Sequence, residues 1–235
     1  MRRPSSLWLA AVAVTLAPVV SVAHAQMETS HAVANGGISV PGWQGQIDAN
    51  EARRGSTLNS ARLAKEGDAL HVTTGPAVAY WNPSNTASGD YTVSATFREP
   101  KFMNLNDHPH PYGIFIGGND MGTPNQTYFY CAAYGSGSFI ARGFGPRPFR
   151  LNGPEGEENA AVHKAAAKDQ PVSQDIAISV HGDKVSCIIN GTTVATYDKS
   201  QVVGEGKAKS ADGIYGIRFA HNTDGYVTNL KVTHP

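Results

Sequence analysis

The chain has 235 residues, 19 Lys+Arg against 19 Asp+Glu, 25 Gly and 14 Pro, and only 16% of its side chains are charged. Charge balance argues against nonspecific nucleic-acid binding, which requires a basic surface overall, and 40% hydrophobic content argues against a disordered chain. The length suits one domain with a real core, and many glycines and prolines beside few charges suit a turn-rich β protein better than a helical bundle.

Residues 1–25 read as a cleavable export signal. Arg2 and Arg3 form a basic start, residues 7–17 an apolar stretch, and Ala23-His24-Ala25 a small-x-small cleavage site. Pro18 breaks the apolar stretch, which is shorter than the roughly 20 residues a membrane span needs. Cleavage leaves 210 residues from Gln26 to Pro235, with 17 basic and 19 acidic side chains and a net charge of −2. The expected location is therefore secreted or periplasmic, with no membrane span after cleavage. Residues 26–37 are small and polar and read as a flexible lead-in; residues 38–235 read as a single domain.

Asp48 reads as the cap of a short helical turn over 49–54, ended by Gly55. Strand patterns follow at 69–73 and 77–81, and at 91–98 the residues Tyr91, Val93, Ala95 and Phe97 alternate with polar partners. The glycine-bounded run 113–117 is next, then 127–134 and 138–144 around Gly135-Ser136-Gly137, a hairpin loop. Residues 145–171 break the rhythm as a long surface loop whose Ala-rich part, 159–168, suggests two helical turns. The strands resume at 175–181, 184–189 and 192–197, with Asn190-Gly191 as a tight turn, and end at 213–220 and 226–233. About ten strands at this spacing describe an antiparallel β-sandwich.

Cys131 and Cys187 each fall on the apolar face of a strand pattern. Export makes them a candidate disulfide; the other reading is two buried thiols acting as small hydrophobes.

Several segments carry a resemblance: Gly42-Trp43-Gln44-Gly45, Gly67-Asp68-Ala69-Leu70-His71-Val72, the run from Gly89 to Phe97, Ile188-Ile189-Asn190-Gly191-Thr192-Thr193-Val194, and Gly213-Ile214-Tyr215-Gly216-Ile217-Arg218. In this order they resemble the concanavalin A-like lectin/glucanase superfamily, and within it the bacterial laminin-G-like and 3-keto-disaccharide hydrolase-type domains. The resemblance covers about residues 38–235 and implies an all-β, antiparallel jelly-roll sandwich with a glycan or polysaccharide as partner. Two departures weaken the implied enzyme activity. His108-Pro109-His110-Pro111-Tyr112-Gly113 stands where the hydrolase-type domains carry Asn-Ser-Gly. The Glu-x-Asp strand of the glucanases, which presents paired carboxylates for glycoside cleavage, has no counterpart.

Candidate site residues follow from side-chain chemistry. Tyr128, Tyr130 and Tyr134 share one face of a strand pattern, where phenol rings stack on sugars and Arg142 on the next strand adds a fork of donors. His108 and His110 are two apart and reach one metal if extended, with Asp107 beside them and His163 or His221 as a third ligand from elsewhere. The alternative is exposed loop histidines without a metal. Asn104, Asn106 and Asp107 are the oxygen donors that calcium would take; no other cofactor is expected. Glu155, Glu157 and Glu158 form an acidic cluster in the long loop, read either as a solvated patch or as catalytic carboxylates. Trp81 ends a strand pattern and reads as core. Two functions stay open: an exported carbohydrate-binding module with its ligand on the Tyr-rich face, or a glycoside hydrolase or lyase acting on (3-keto-)glycosides through His108, His110, Glu155 and Glu157.

Overall fold

A computed structural model describes residues 29–235. The expected signal at 1–25 and the first residues of the lead-in lie outside these residues. The described chain forms sixteen strands: β1 (Gly37–Ile38), β2 (Gln44–Ile47), β3 (Ala61–Glu66), β4 (Ala69–Thr74), β5 (Val78–Ala87), β6 (Tyr91–Glu99), β7 (Tyr112–Asn119), β8 (Thr127–Ala133), β9 (Ser138–Phe144), β10 (Pro148–Arg150), β11 (Glu157–Glu158), β12 (Val172–His181), β13 (Lys184–Ile189), β14 (Thr192–Asp198), β15 (Gly213–Phe219) and β16 (Asp224–Thr233). They build two eight-stranded sheets. The first has the order β1-β3-β4-β16-β6-β12-β13-β14; the second runs β10-β9-β8-β7-β15-β5-β2, with β11 also paired to β9.

Alternation decides which face of each strand goes inward. In β6, Tyr91, Val93, Ala95, Phe97 and Glu99 are buried while Thr92, Ser94, Thr96 and Arg98 are not. Ile176, Ile178 and Val180 of β12 lie in register with Ala95, Val93 and Tyr91. Across the gap the second sheet presents Ile114, Ile116, Phe129, Cys131, Ile217 and Phe219 to the same core. Each such side chain fully withdrawn from water contributes about 1.5–3 kcal/mol before chain entropy is counted. The turn after β13 is made by Asn190 at φ +50° and Gly191 at φ +80°, the left-handed pair that matches strand twist. Asn190 also uses its side chain, donating to Ala161 O and Gln174 Oε1 and accepting from Asp175 N.

Several expectations are refined. The sheets include β1, β2, β3, β10 and β11, which are short or weakly alternating. Residues 29–37 run along the sandwich: Asn222 Nδ2 donates to Thr29 O, His31 N donates to Asn222 Oδ1, and Gly37–Ile38 pairs parallel to β3. The Ala-rich part of the long loop forms no helix. Instead β10 and β11 both pair with β9, fastening the 145–171 segment along the edge of the second sheet. Val162 is buried in the main core, and Ala165 N bonds Gly135 O. The helix after Asp48 exists, as α1 (Ala49–Arg53), but the Asp48 side chain makes no cap bond. Cys131 and Cys187 are both free, buried thiols, so the disulfide is not formed here. Burial and the Cys131 thiol beside it push the Cys187 thiol well up. Among the described residues no helix is long and apolar enough to cross a membrane.

Candidate functional site

The outer face of the second sheet is apolar as well. Every residue of β8 is buried, because Phe129, Cys131 and Ala133 enter the main core while Tyr128, Tyr130 and Ala132 join a second cluster with Ala79, Trp81, Phe115 and Ile140. Trp81, read as core, belongs to this second cluster. Strand register lines up a cross-strand row of Trp81, Gly216, Phe115, Tyr130 and Arg142. Glycine is required in that row: a Cβ on Gly216 would collide with Tyr80 O and stand 2.6 Å from the Phe115 ring.

The shared face of Tyr128, Tyr130 and Tyr134 is as alternation implies, but their exposures differ. Tyr128 is wholly buried, Tyr130 is 7% exposed, and Tyr134 is half-buried at the rim. Tyr128 is therefore a support and not a ligand surface. Its hydroxyl accepts from Arg218 Nη1 at 3.0 Å. Arg218 also makes two bonds to Asp48, Nη1 to Oδ1 at 2.8 Å and Nη2 to Oδ2 at 2.6 Å. Its guanidinium carbon lies 5.0 Å from the Tyr130 ring centre and 4.9 Å from that of Phe144, within cation–π range. Asp48 and Arg218 were absent from the candidates. The usable signal was Arg218 on the same strand face as Ile214 and Gly216 in an otherwise apolar run.

The loop before β7 carries His108 and His110, and the turn after β15 carries His221. The two segments are tied together: Ala220 N donates to Pro111 O, and Asn106 Nδ2 to Asn222 O at 2.8 Å. His110 is 6% exposed; its Nδ1 donates to His221 O at 2.5 Å, and its Nε2 lies 2.8 Å from His108 Nε2. Burial first, then the neighbouring His221 and His108, hold His110 down at about 3, so it is neutral in neutral solution. His108 Nδ1 meets Asp107 Oδ1 at 2.7 Å. Ring nitrogens of His108, His110 and His221 all lie within 4.8 Å of one another. Asp107 thus stands behind His108 and does not join the cluster. Asn106 turns inward, away from an oxygen cage, and His163 is elsewhere, bonded to Ser173 O. The cluster offers nitrogen ligands, which suit a transition metal better than calcium.

Two depressions lie on this face. One, of about 500 Å³, is lined by His108, His110, His221, Tyr130, Tyr134, Arg142 and Glu155, among others. The second, of about 610 Å³, shares Tyr130, Arg142 and Arg218 with it and adds Arg53, Arg147 and Arg150. The long loop supplies much of the wall, with Arg142 Nη2 donating to Pro154 O at 2.6 Å. Among the described residues, Glu155 is the only acid lining the first depression, and Asp48 the only one lining the second. Glu157 lines neither; it pairs with Phe139 on the sheet edge.

No protein-family model and no curated protein sequence matches the chain. Solved structures do. An endo-β-1,3-glucanase from Pyrococcus furiosus superposes with a TM-score of 0.52 at 16% identity, over 82% of this chain and 88% of that one. A Bacillus subtilis protein with a galectin-like fold gives 0.50 at 12% identity, over 82% and 89%. A carbohydrate-binding module from Bacillus subtilis gives 0.47 at 10% identity, over 83% and 97%. The fold is a concanavalin A-like jelly roll. At these identities the likeness is one of fold. The outer face of this jelly roll carries an arginine held by Asp48 and Tyr128, a three-histidine cluster, and a loop that lines both depressions.

Proposed function

We propose that the protein is an exported carbohydrate-binding module that holds a glycan along the outer face of its second sheet. The observation that carries this reading is the ridge of Tyr130, Arg142 and Arg218 shared by both depressions, with Tyr134 at the rim. Aromatic rings supply stacking surface for sugars, and guanidinium groups supply forked donors to their oxygens. Among the described residues, the second depression is lined by Arg53, Arg142, Arg147 and Arg150 beside Arg218, whose charge is balanced by Asp48, the one acid there. That balance favours acidic sugar units, bearing carboxylate or sulfate, over neutral ones. Export rests on the signal pattern of residues 1–25.

The alternative reading, a hydrolase or lyase acting on (3-keto-)glycosides, has Glu155 and the histidines to draw on. A two-carboxylate mechanism needs a second acid across the bond, and Asp48 is committed to Arg218. Calorimetry with uronate-containing, sulfated and neutral polysaccharides tests the binding reading. Acidic chains are expected to bind, more weakly as salt rises, and a 3-keto-glycoside assay is expected to show no turnover. Absence of binding to every chain would overturn the proposal, and catalytic turnover would replace it with the alternative.

A further inference from the structure

We infer that His108, His110 and His221 form a binding site for one divalent transition-metal ion, of zinc-like chemistry, in the wall of the groove. The inference stands on the histidines alone and does not depend on what the groove binds.

Three features point to a metal. The first is convergence from distant segments. His108 and His110 come from an extended His-Pro-His stretch, in which residues two apart reach one centre, and His221 arrives from the β15–β16 turn, with ring nitrogens of all three within 4.8 Å. In a tetrahedral site with Zn–N distances of about 2.0–2.1 Å, ligand nitrogens stand about 3.3 Å apart. The observed 2.8 Å between His108 and His110 needs a parting of about half an ångström to meet that spacing, and His108 is exposed on its loop.

The second feature is what orients the rings. His110 Nδ1 donates to His221 O at 2.5 Å, and His108 Nδ1 donates to the Asp107 carboxylate at 2.7 Å. Each bond places a hydrogen on Nδ1, so Nε2 is the ring nitrogen turned toward the shared centre. Metal-bound histidines use this arrangement: a carbonyl or carboxylate behind each ring sets its tautomer and raises its basicity. The His108 and His110 Nε2 atoms face each other at 2.8 Å, and His221 adds a third nitrogen to that centre.

The third feature is the open side. All three histidines line the 500 Å³ depression, so a three-nitrogen centre keeps a coordination position facing the groove. Closed structural sites use four protein ligands, whereas three ligands and an open position hold a water or an incoming oxygen.

The test is metal uptake by the full-length purified protein after chelator treatment. Zn²⁺ calorimetry is expected to give one ion per chain, and Co²⁺ to give the visible absorption of a tetrahedral nitrogen-ligated ion. His221→Ala and His108→Ala are each expected to lose more affinity than Asp107→Asn, whose loss of an orienting partner should cost roughly 10–100-fold. His163→Ala should change nothing. His108 is exposed, so its variant stays informative even if circular dichroism shows that His221→Ala has lost its fold. No saturable uptake, or uptake unchanged in both His108→Ala and a folded His221→Ala, would overturn the site.

Discussion

Asp48 and Arg218 stand 170 residues apart in sequence and close on each other through two bonds, of 2.8 and 2.6 Å. The carboxylate that reads locally as a helix cap is spent on holding an arginine beside two stacked aromatic rings, those of Tyr130 and Phe144. The Arg218 side chain is only 8% exposed and that of Asp48 23%. Removing one member of such a pair strands the other charge, at a cost of about 3–5 kcal/mol when buried; Asp48 is partly solvated, so the low end applies. Asp48→Ala is therefore expected to lower stability by about 3 kcal/mol in urea unfolding. Adding Arg218→Met should recover part of the loss, because it removes the stranded charge. Equal stability of Asp48→Ala and the parent would show that the pair does not hold the ridge.

The first-sheet strands β6 and β12 were legible because one face of each is apolar and the other polar, as in Tyr91 to Arg98. The outer-face site was only half legible. Tyr128, Tyr130, Tyr134 and Arg142 were placed on the correct face, but alternation says nothing about what lies on top. Here Arg218, Phe115 and Phe144 pack on Tyr128, which is fully buried. His221 was a named alternative without support, since nothing local ties it to His110. The tie is Ala220 N to Pro111 O and Asn106 to Asn222 O, a pairing of segments more than 100 residues apart. β10 and β11 were missed because Pro148–Arg150 and Glu157–Glu158 have no periodicity to read; they are strands only because β9 offers them an edge.

Glu99 makes stability depend on pH. Its Oε1 accepts from Met103 N at 3.0 Å, while Oε2 is buried without a partner, as is the Tyr112 hydroxyl. Burial raises its carboxyl from 4.5 to about 7, against the lowering effect of the Met103 bond. The fold thus favours the protonated form. The stability linked to it is present in full below about 4.5 and is lost as pH rises through about 7. The change amounts to about 3 kcal/mol between pH 5 and 8. Glu99→Gln should flatten that part of the stability curve and raise the denaturation midpoint at pH 8. An unchanged slope would mean that Glu99 is solvated and ionised in the folded protein.

Cys131 and Cys187 lie on facing sheets, each wholly buried. A thiol reagent needs the thiolate and access to it; burial denies access to both cysteines and raises the Cys187 thiol. The native protein is expected to react with no equivalent of an aromatic disulfide reagent, and the denatured, unreduced protein with two. Zero thiols after denaturation would show that the purified protein carries the Cys131–Cys187 bond.

Two tyrosines on one strand face should separate support from binding. Tyr128 is covered, and its hydroxyl serves Arg218; Tyr134 is half-buried and lines the groove beside Glu155 and Arg142. Tyr128→Phe removes one partner from a charged donor and should cost about 1–3 kcal/mol of stability. Any glycan affinity should then be nearly unchanged at temperatures where the fold persists. Tyr134→Ala removes a rim ring without opening the core, so stability should shift by less than about 1 kcal/mol. Affinity should fall about 10-fold, the loss of one stacking contact worth about 1.4 kcal/mol. Thermal unfolding and calorimetry on both variants read the two axes separately. If Tyr128→Phe weakens binding while Tyr134→Ala leaves it intact, the ligand does not lie along this rim.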